Sequence, residues 1–175
     1  MTDAPTFELE TPRLRIHALG EADAPRLQAV FQAAADHFVT LAGAEPDPDA
    51  AARELAGCAA SPGRRVALLT LADGSDVGAV GWWEGNPEPD VALLGMLFVT
   101  PGHRGEGLAR EALGGVEILL AGRGFRRLRT AFPHRRLAVR PVVQALGFRE
   151  MSIADHQKLG LAGAGTSLWE KEIGR

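Results

Sequence analysis

Leu97-Phe98-Val99-Thr100-Pro101-Gly102-His103-Arg104-Gly105-Glu106-Gly107-Leu108-Ala109-Arg110 passes from an apolar strand through a turn into the start of a helix, with three glycines in the six positions from 102 to 107. Glycines let successive backbone N–H groups converge on one point without a clashing Cβ, and a helix start adds unpaired N–H groups and the positive end of its dipole. The junction is therefore suited to an anion, and phosphate is the guest its chemistry favours. Two common phosphate loops are excluded. A P-loop needs Lys and then Ser or Thr after its last glycine, but Leu108 and Ala109 follow Gly107; the dinucleotide fingerprint needs a glycine where Arg110 stands.

Outward from this loop the pattern is that of an α/β chain. Upstream, Val91 to Val99 is a continuous apolar run suited to a central strand buried on both faces, and Gly95 within it marks a bulge or a close approach to a ligand. Downstream, Leu108, Ala109, Ala112, Leu113, Val116, Leu119 and Leu120 recur at helical spacing up to Gly122 and Gly124. Arg127 to Phe132 follows as a strand, so that strand, crossover helix and strand predict a parallel pair. Further upstream, 65–71 and 77–83 read as a hairpin around Asp73-Gly74, with Trp82 and Trp83 on opposite faces, one for the core and one for a cleft. The N-terminal part predicts one strand alternating from Arg13, a helix opening at Gly20, and a second helix from about Pro48 to Ala59. Beyond Pro141, which suits the first turn of a short helix ending at Leu146-Gly147-Phe148, segments 149–153 and 166–173 read as an antiparallel pair.

With 175 residues, 46% of them hydrophobic, the chain reads as one domain over 1–175. No apolar run approaches the ~18 residues of a membrane span, and Met1 to Pro5 lacks the basic and apolar regions of a leader. A lone cysteine, Cys58, fits a reducing cytoplasm and a packed structural role, and five histidines without ligand-like spacing predict no metal site. The net charge of −3 conceals a segregation: residues 1–101 carry six arginines and fifteen acids, residues 102–149 ten arginines and three acids. A basic segment around the loop suits a polyphosphate ligand. Nucleic acid is not expected, because few aromatics are interleaved for base stacking. Arg123, Arg126 and Arg149 read as solvated surface charges.

Arg104-x-x-Gly107-x-Ala109, between that strand and that helix, resembles the acyl-coenzyme A loop of the GNAT N-acetyltransferases. Leu9-Glu10-Thr11-Pro12-Arg13-Leu14 is similar to the opening of many of them, and Leu146-Gly147-Phe148 to the tripeptide after their last helix. The resemblance implies an α/β mixed sheet flanked by helices and splayed between its fourth and fifth strands, those ending at Val99 and near Phe132. It implies acetyl-CoA as co-substrate, held along Leu97, Phe98 and Val99 and over Arg104, Gly105, Glu106, Gly107, Leu108, Ala109 and Arg110. Leu97 and Val99 would pair with the pantetheine arm through their main chain, and N–H groups from Gly105 to Arg110 would hold the pyrophosphate. The implied activity is cytoplasmic acetyl transfer to an amine of a small molecule or peptide N-terminus, with a homodimer left open; the alternative is a non-catalytic acyl-CoA-binding domain of the same fold.

The catalytic side chains of similar enzymes are missing. Val143 stands where a tyrosine acid is usual and the chain has no tyrosine; Arg136 replaces an asparagine, and Leu93 a carboxylate of the central strand. A thiol with a pKa near 8.5 leaves tolerably without an acid, and positioning alone is worth roughly 7–11 kcal/mol, so direct attack by a bound amine remains feasible, with the oxyanion on a strand N–H near Leu97. Glu84 and His134 are the candidates to take the amine proton. Asp36, Glu45, Asp47, Asp49 and Glu54 fall in the first two helices and their linker, which in this fold wall the acceptor cleft, and they predict a cationic amine.

Overall fold

The computed structural model describes residues 7–160 and 165–174; the N-terminal stretch read above as lacking a leader lies outside them. Eight strands form one sheet in the order β1-β2-β3-β4-β5-β6-β8-β7. They are β1 (Glu8–Glu10), β2 (Leu14–Ala18), β3 (Arg64–Leu71), β4 (Asp76–Glu84), β5 (Val91–Val99), β6 (Arg127–Pro133), β7 (Arg149–Glu150) and β8 (Thr166–Glu172). Helices α1 (Ala24–Ala33), α2 (Ala35–Ala42) and α3 (Ala50–Ala60) lie between β2 and β3, α4 (Leu108–Gly122) between β5 and β6, α5 (Arg140–Ala145) before β7 and α6 (Ile153–Lys158) before β8.

The sheet separates two apolar layers. On one face Leu108, Ala112, Leu113, Val116 and Leu120 of α4 pack with Trp82, Leu94, Val99, Val143 and Trp169. On the other, Leu27, Val30 and Phe31 of α1 and Ala51 and Leu55 of α3 pack with Leu68, Ala79 and Phe98. At about 25 cal/mol per Å² removed from water, these layers supply the main drive for folding.

Four expectations change. The segment between β2 and β3 holds three helices in place of two, because the chain breaks at Ala34 (φ −110°, ψ 33°) and restarts as α2, and the helix expected second is α3. The opening segment is two antiparallel strands, because Thr11 turns the chain at Pro12: its N–H donates to Leu14 O at 2.8 Å and its hydroxyl accepts from Leu14 N–H at 3.1 Å. The parallel pair β5 and β6 therefore counts as the fifth and sixth strands. Segment 149–153 is a two-residue strand followed by α6, whose start is capped by Ser152 accepting from the Asp155 N–H at 3.1 Å. The terminal antiparallel pairing itself is present, and β8 inserts between β6 and β7.

Candidate active site

The opening in the sheet is written in its register. β5 and β6 pair only from Val91↔Arg127 to Leu94↔Thr130, where the Thr130 hydroxyl donates to Leu94 O at 3.0 Å. Beyond that point β5 keeps β4 alone and β6 keeps β8, so the two strands part. Gly95 sits at the parting point. In the β4 ladder Gly81 faces Met96 and Trp82 faces Leu94, which leaves Gly95 as an unpaired bulge residue, exposed to solvent. The bulge gives Leu97 and Val99 to the α4 face and Met96 and Phe98 to the α1–α3 face.

The split leads into the glycine loop. Gly105 and Gly107 adopt left-handed backbone (φ 80° and 82°), and Gly107 caps α4 with no side-chain partner for the first N–H groups. A Cβ at Gly105 would meet nothing within 4 Å, so the space beside the loop is open. A glycine turn running into a helix start is the backbone geometry that anion-binding loops use.

The side chains around this loop are less predictable. Arg104 is committed elsewhere: its Nε donates to Val99 O at 2.8 Å, and its guanidinium forms a bidentate pair with Asp36 of α2. Arg104 holds the Asp36 carboxyl down to about 2. Arg110 donates to Ala145 O at the end of α5. The cation that braces the loop is one the sequence reading passed over, Arg13. Its Nη1 donates to Glu106 O at 2.9 Å and its Nε to Glu111 of α4 at 2.6 Å, while Thr11 donates to the same carboxylate at 2.6 Å. In the sequence it stands within the Leu9-to-Leu14 stretch that is similar to the opening of GNAT proteins.

The structure sets Glu84 and His134 apart. Glu84 ends β4 opposite Ala92, at the closed end of the split, and its carboxylate accepts from the Trp82 indole at 3.1 Å and from Arg123 at 2.5 Å. Glu84 is thus an ion-paired strand residue, and Arg123 is its partner instead of a solvated charge. His134 is exposed beyond the open end of β6, its N–H donating to Gly165 O at 2.8 Å. Val143 is core, packed with Phe148, and the Arg136 guanidinium approaches Gly43 at the end of α2.

A concavity opens on the α3 face of the bulge. It encloses about 280 Å³ and is lined by Glu54, Arg64, Trp83, Leu93, Gly95 and Met96 among others. The two tryptophans divide as their alternation requires: Trp82 is buried against Phe7, and Trp83 faces this cavity. In the wall beside it, three arginines serve four of the five acids. Asp36 pairs with Arg104, Asp47 and Asp49 with Arg53, and Glu54 with Arg64, leaving Glu45 exposed. Cys58, half-buried in α3, has its thiol pushed up to about 11 by burial and by Glu54, which makes it a poor nucleophile.

A strand bulged at the parting of a parallel pair, followed by a glycine-capped helix, is the arrangement that the family resemblance requires. The model of the acetyltransferase (GNAT) domain matches residues 13–149. The chain belongs to the GNAT acetyltransferase family. Among solved GNAT-like structures, an acetyltransferase from Thermus thermophilus is 28% identical, covering 95% of this chain and 100% of that one, with a TM-score of 0.75. The GNAT domain of PAT from S. lividans is 17% identical over 95% of this chain and 97% of that one, TM-score 0.72. An aminoglycoside acetyltransferase, AAC(6')-Ib, in complex with coenzyme A is 15% identical over 90% and 93%, TM-score 0.68. The last two speak for the fold alone. No curated protein matches the chain by sequence.

Proposed function

We propose that residues 1–175 act as one domain that transfers an acetyl group from acetyl-CoA to a primary amine in a ternary complex. The observation that carries this reading is the continuity of the unpaired half of β5 with the loop capped by Gly107. One end offers backbone groups to an extended amide-bearing arm, and the other offers N–H groups to a pyrophosphate. The fit is one of main chain: N–H groups from Gly105 to Arg110 hold the phosphates, and the open space at Gly105 admits them. Since the Val99 carbonyl already accepts from Arg104, the arm pairs with the backbone nearer the bulge, about Leu97.

The reacting carbonyl then lies near Gly95, where the donor split meets the cavity on the α3 face. The amine nitrogen forms a bond to the thioester carbon, the carbon–sulfur bond breaks, and one amine proton ends, in net terms, on the departing sulfur. No tyrosine is needed, because a thiolate is a tolerable leaving group near neutral pH. Glu84 is too firmly committed to Arg123 and Trp82 to serve well as the direct base, and His134 lies beyond the open end of the split. Proton removal in this reading runs through water in the cavity beside Glu54.

Calorimetry with coenzyme A, followed by thiol release from acetyl-CoA with a panel of amines, tests the reading. Micromolar binding and amine-dependent thiol release are expected. Absence of binding overturns the function; binding without amine-dependent release favours a non-catalytic acyl-CoA-binding domain.

A further inference from the structure

The cavity at Gly95 presents an apolar surface in a frame of one carboxylate, Glu54, and two guanidiniums, Arg64 and Arg65. The Trp83 indole N–H donates to Pro62 O at 3.2 Å, so the ring is fixed while remaining 36% exposed. Leu93 lies opposite Trp83 in the ladder and Met96 opposite Gly81, which puts both on the same face as that ring. Facing them from α3, Glu54 accepts from Arg64 at 2.8 Å. A polycation entering here meets one carboxylate already neutralised and three hydrophobic side chains, a setting that costs its charges their hydration without replacing it. A single amine on an apolar body meets the opposite balance, because its ring or alkyl group is welcomed and desolvation favours the neutral, nucleophilic form of its nitrogen. The volume of about 280 Å³ lies just under the range of ~300–1,000 Å³ usual for drug-sized ligands, which holds one ring and a short arm and would leave most of a multi-ring sugar outside.

We infer that the acceptor is a primary amine on one aromatic ring or branched alkyl group, lying against Trp83, Leu93 and Met96 with its nitrogen at the Gly95 bulge; this rests on the acetyl-transfer reading. The test compares kcat/KM for 2-phenylethylamine and isoamylamine with that for spermidine and kanamycin, at saturating acetyl-CoA. The apolar amines are expected to lead by about tenfold or more. Trp83→Ala raises the KM for 2-phenylethylamine by about tenfold while leaving coenzyme A affinity unchanged, and Trp83→Phe restores most of the loss. Equal or better use of spermidine or kanamycin, or an acceptor preference that Trp83→Ala does not alter, overturns the assignment. So does coenzyme A binding without turnover of any of the four amines. Failure of the wild-type protein to bind coenzyme A overturns the transfer reading itself.

Discussion

Residues 91–94 of β5 are flanked by β4 and β6, whereas residues 95–99 keep only β4. Both halves come from one apolar run, yet the first is closed by the β6 ladder and the second is left open on that side. Below Leu94, Arg129 is 3% exposed and donates to Glu170 at 2.6 Å and Glu88 at 2.9 Å, while Arg127 pairs with Glu88 and Asp90. Above Leu94, the bulge at Gly95 ends the pairing and the backbone becomes available to a ligand. Closure gives stability, opening exposes backbone, and the boundary is a single residue.

Substitutions on either side of that boundary separate the two roles. The largest effect is expected from Arg129→Ala, which leaves Glu170 and Glu88 without their shared cation and lowers the unfolding free energy by about 3 kcal/mol, the low end for breaking a buried pair because both acids are partly exposed. Denaturant unfolding measures it, and coenzyme A affinity of the folded fraction stays unchanged. Gly105→Val acts in the opposite sense: a β-branched residue at φ 80° strains the loop by roughly 1–3 kcal/mol and weakens coenzyme A binding about tenfold or more by calorimetry, with a smaller change in stability.

Arg13→Ala removes the brace on the Glu106 carbonyl. The KM for acetyl-CoA is expected to rise about fivefold at constant kcat, with partial recovery in Arg13→Lys. The smallest effect concerns His37 of α2, whose ring lies 4.8 Å from that of Phe98. Burial, reinforced by Arg104, lowers its pKa. The unfolded chain therefore binds the extra proton first, so stability is complete above about pH 6.5 and is lost as pH falls toward the folded value. His37→Phe flattens the decline in melting temperature between pH 7 and 5, whereas the Arg104–Asp36 pair, with Asp36 held at about 2, persists through that range.

Periodicity made β3 to β6, α1 and α4 legible, and the glycines made the loop before α4 legible, because these features depend on neighbours within a few residues. Two misses had local signals: Pro12 interrupts the opening segment, and Ser152 with Asp155 forms the cap of α6. The acceptor side was read from charge alone, and four of its five acids pair with arginines up to 68 residues away, as in Asp36 with Arg104. Arg13 and Arg123 were equally invisible, since their partners Glu106, Glu111 and Glu84 lie on other elements.

What the sequence determined alone was therefore the main-chain machinery: an apolar strand, a glycine-capped helix and a second strand, whose conformations follow from steric and hydrophobic rules acting over a few residues. Only the tertiary structure decided where charge survives. An arginine's influence depends on which carboxylate comes within about 3 Å of it, and that distance exists only after β4, α2 and α4 have packed on the same sheet.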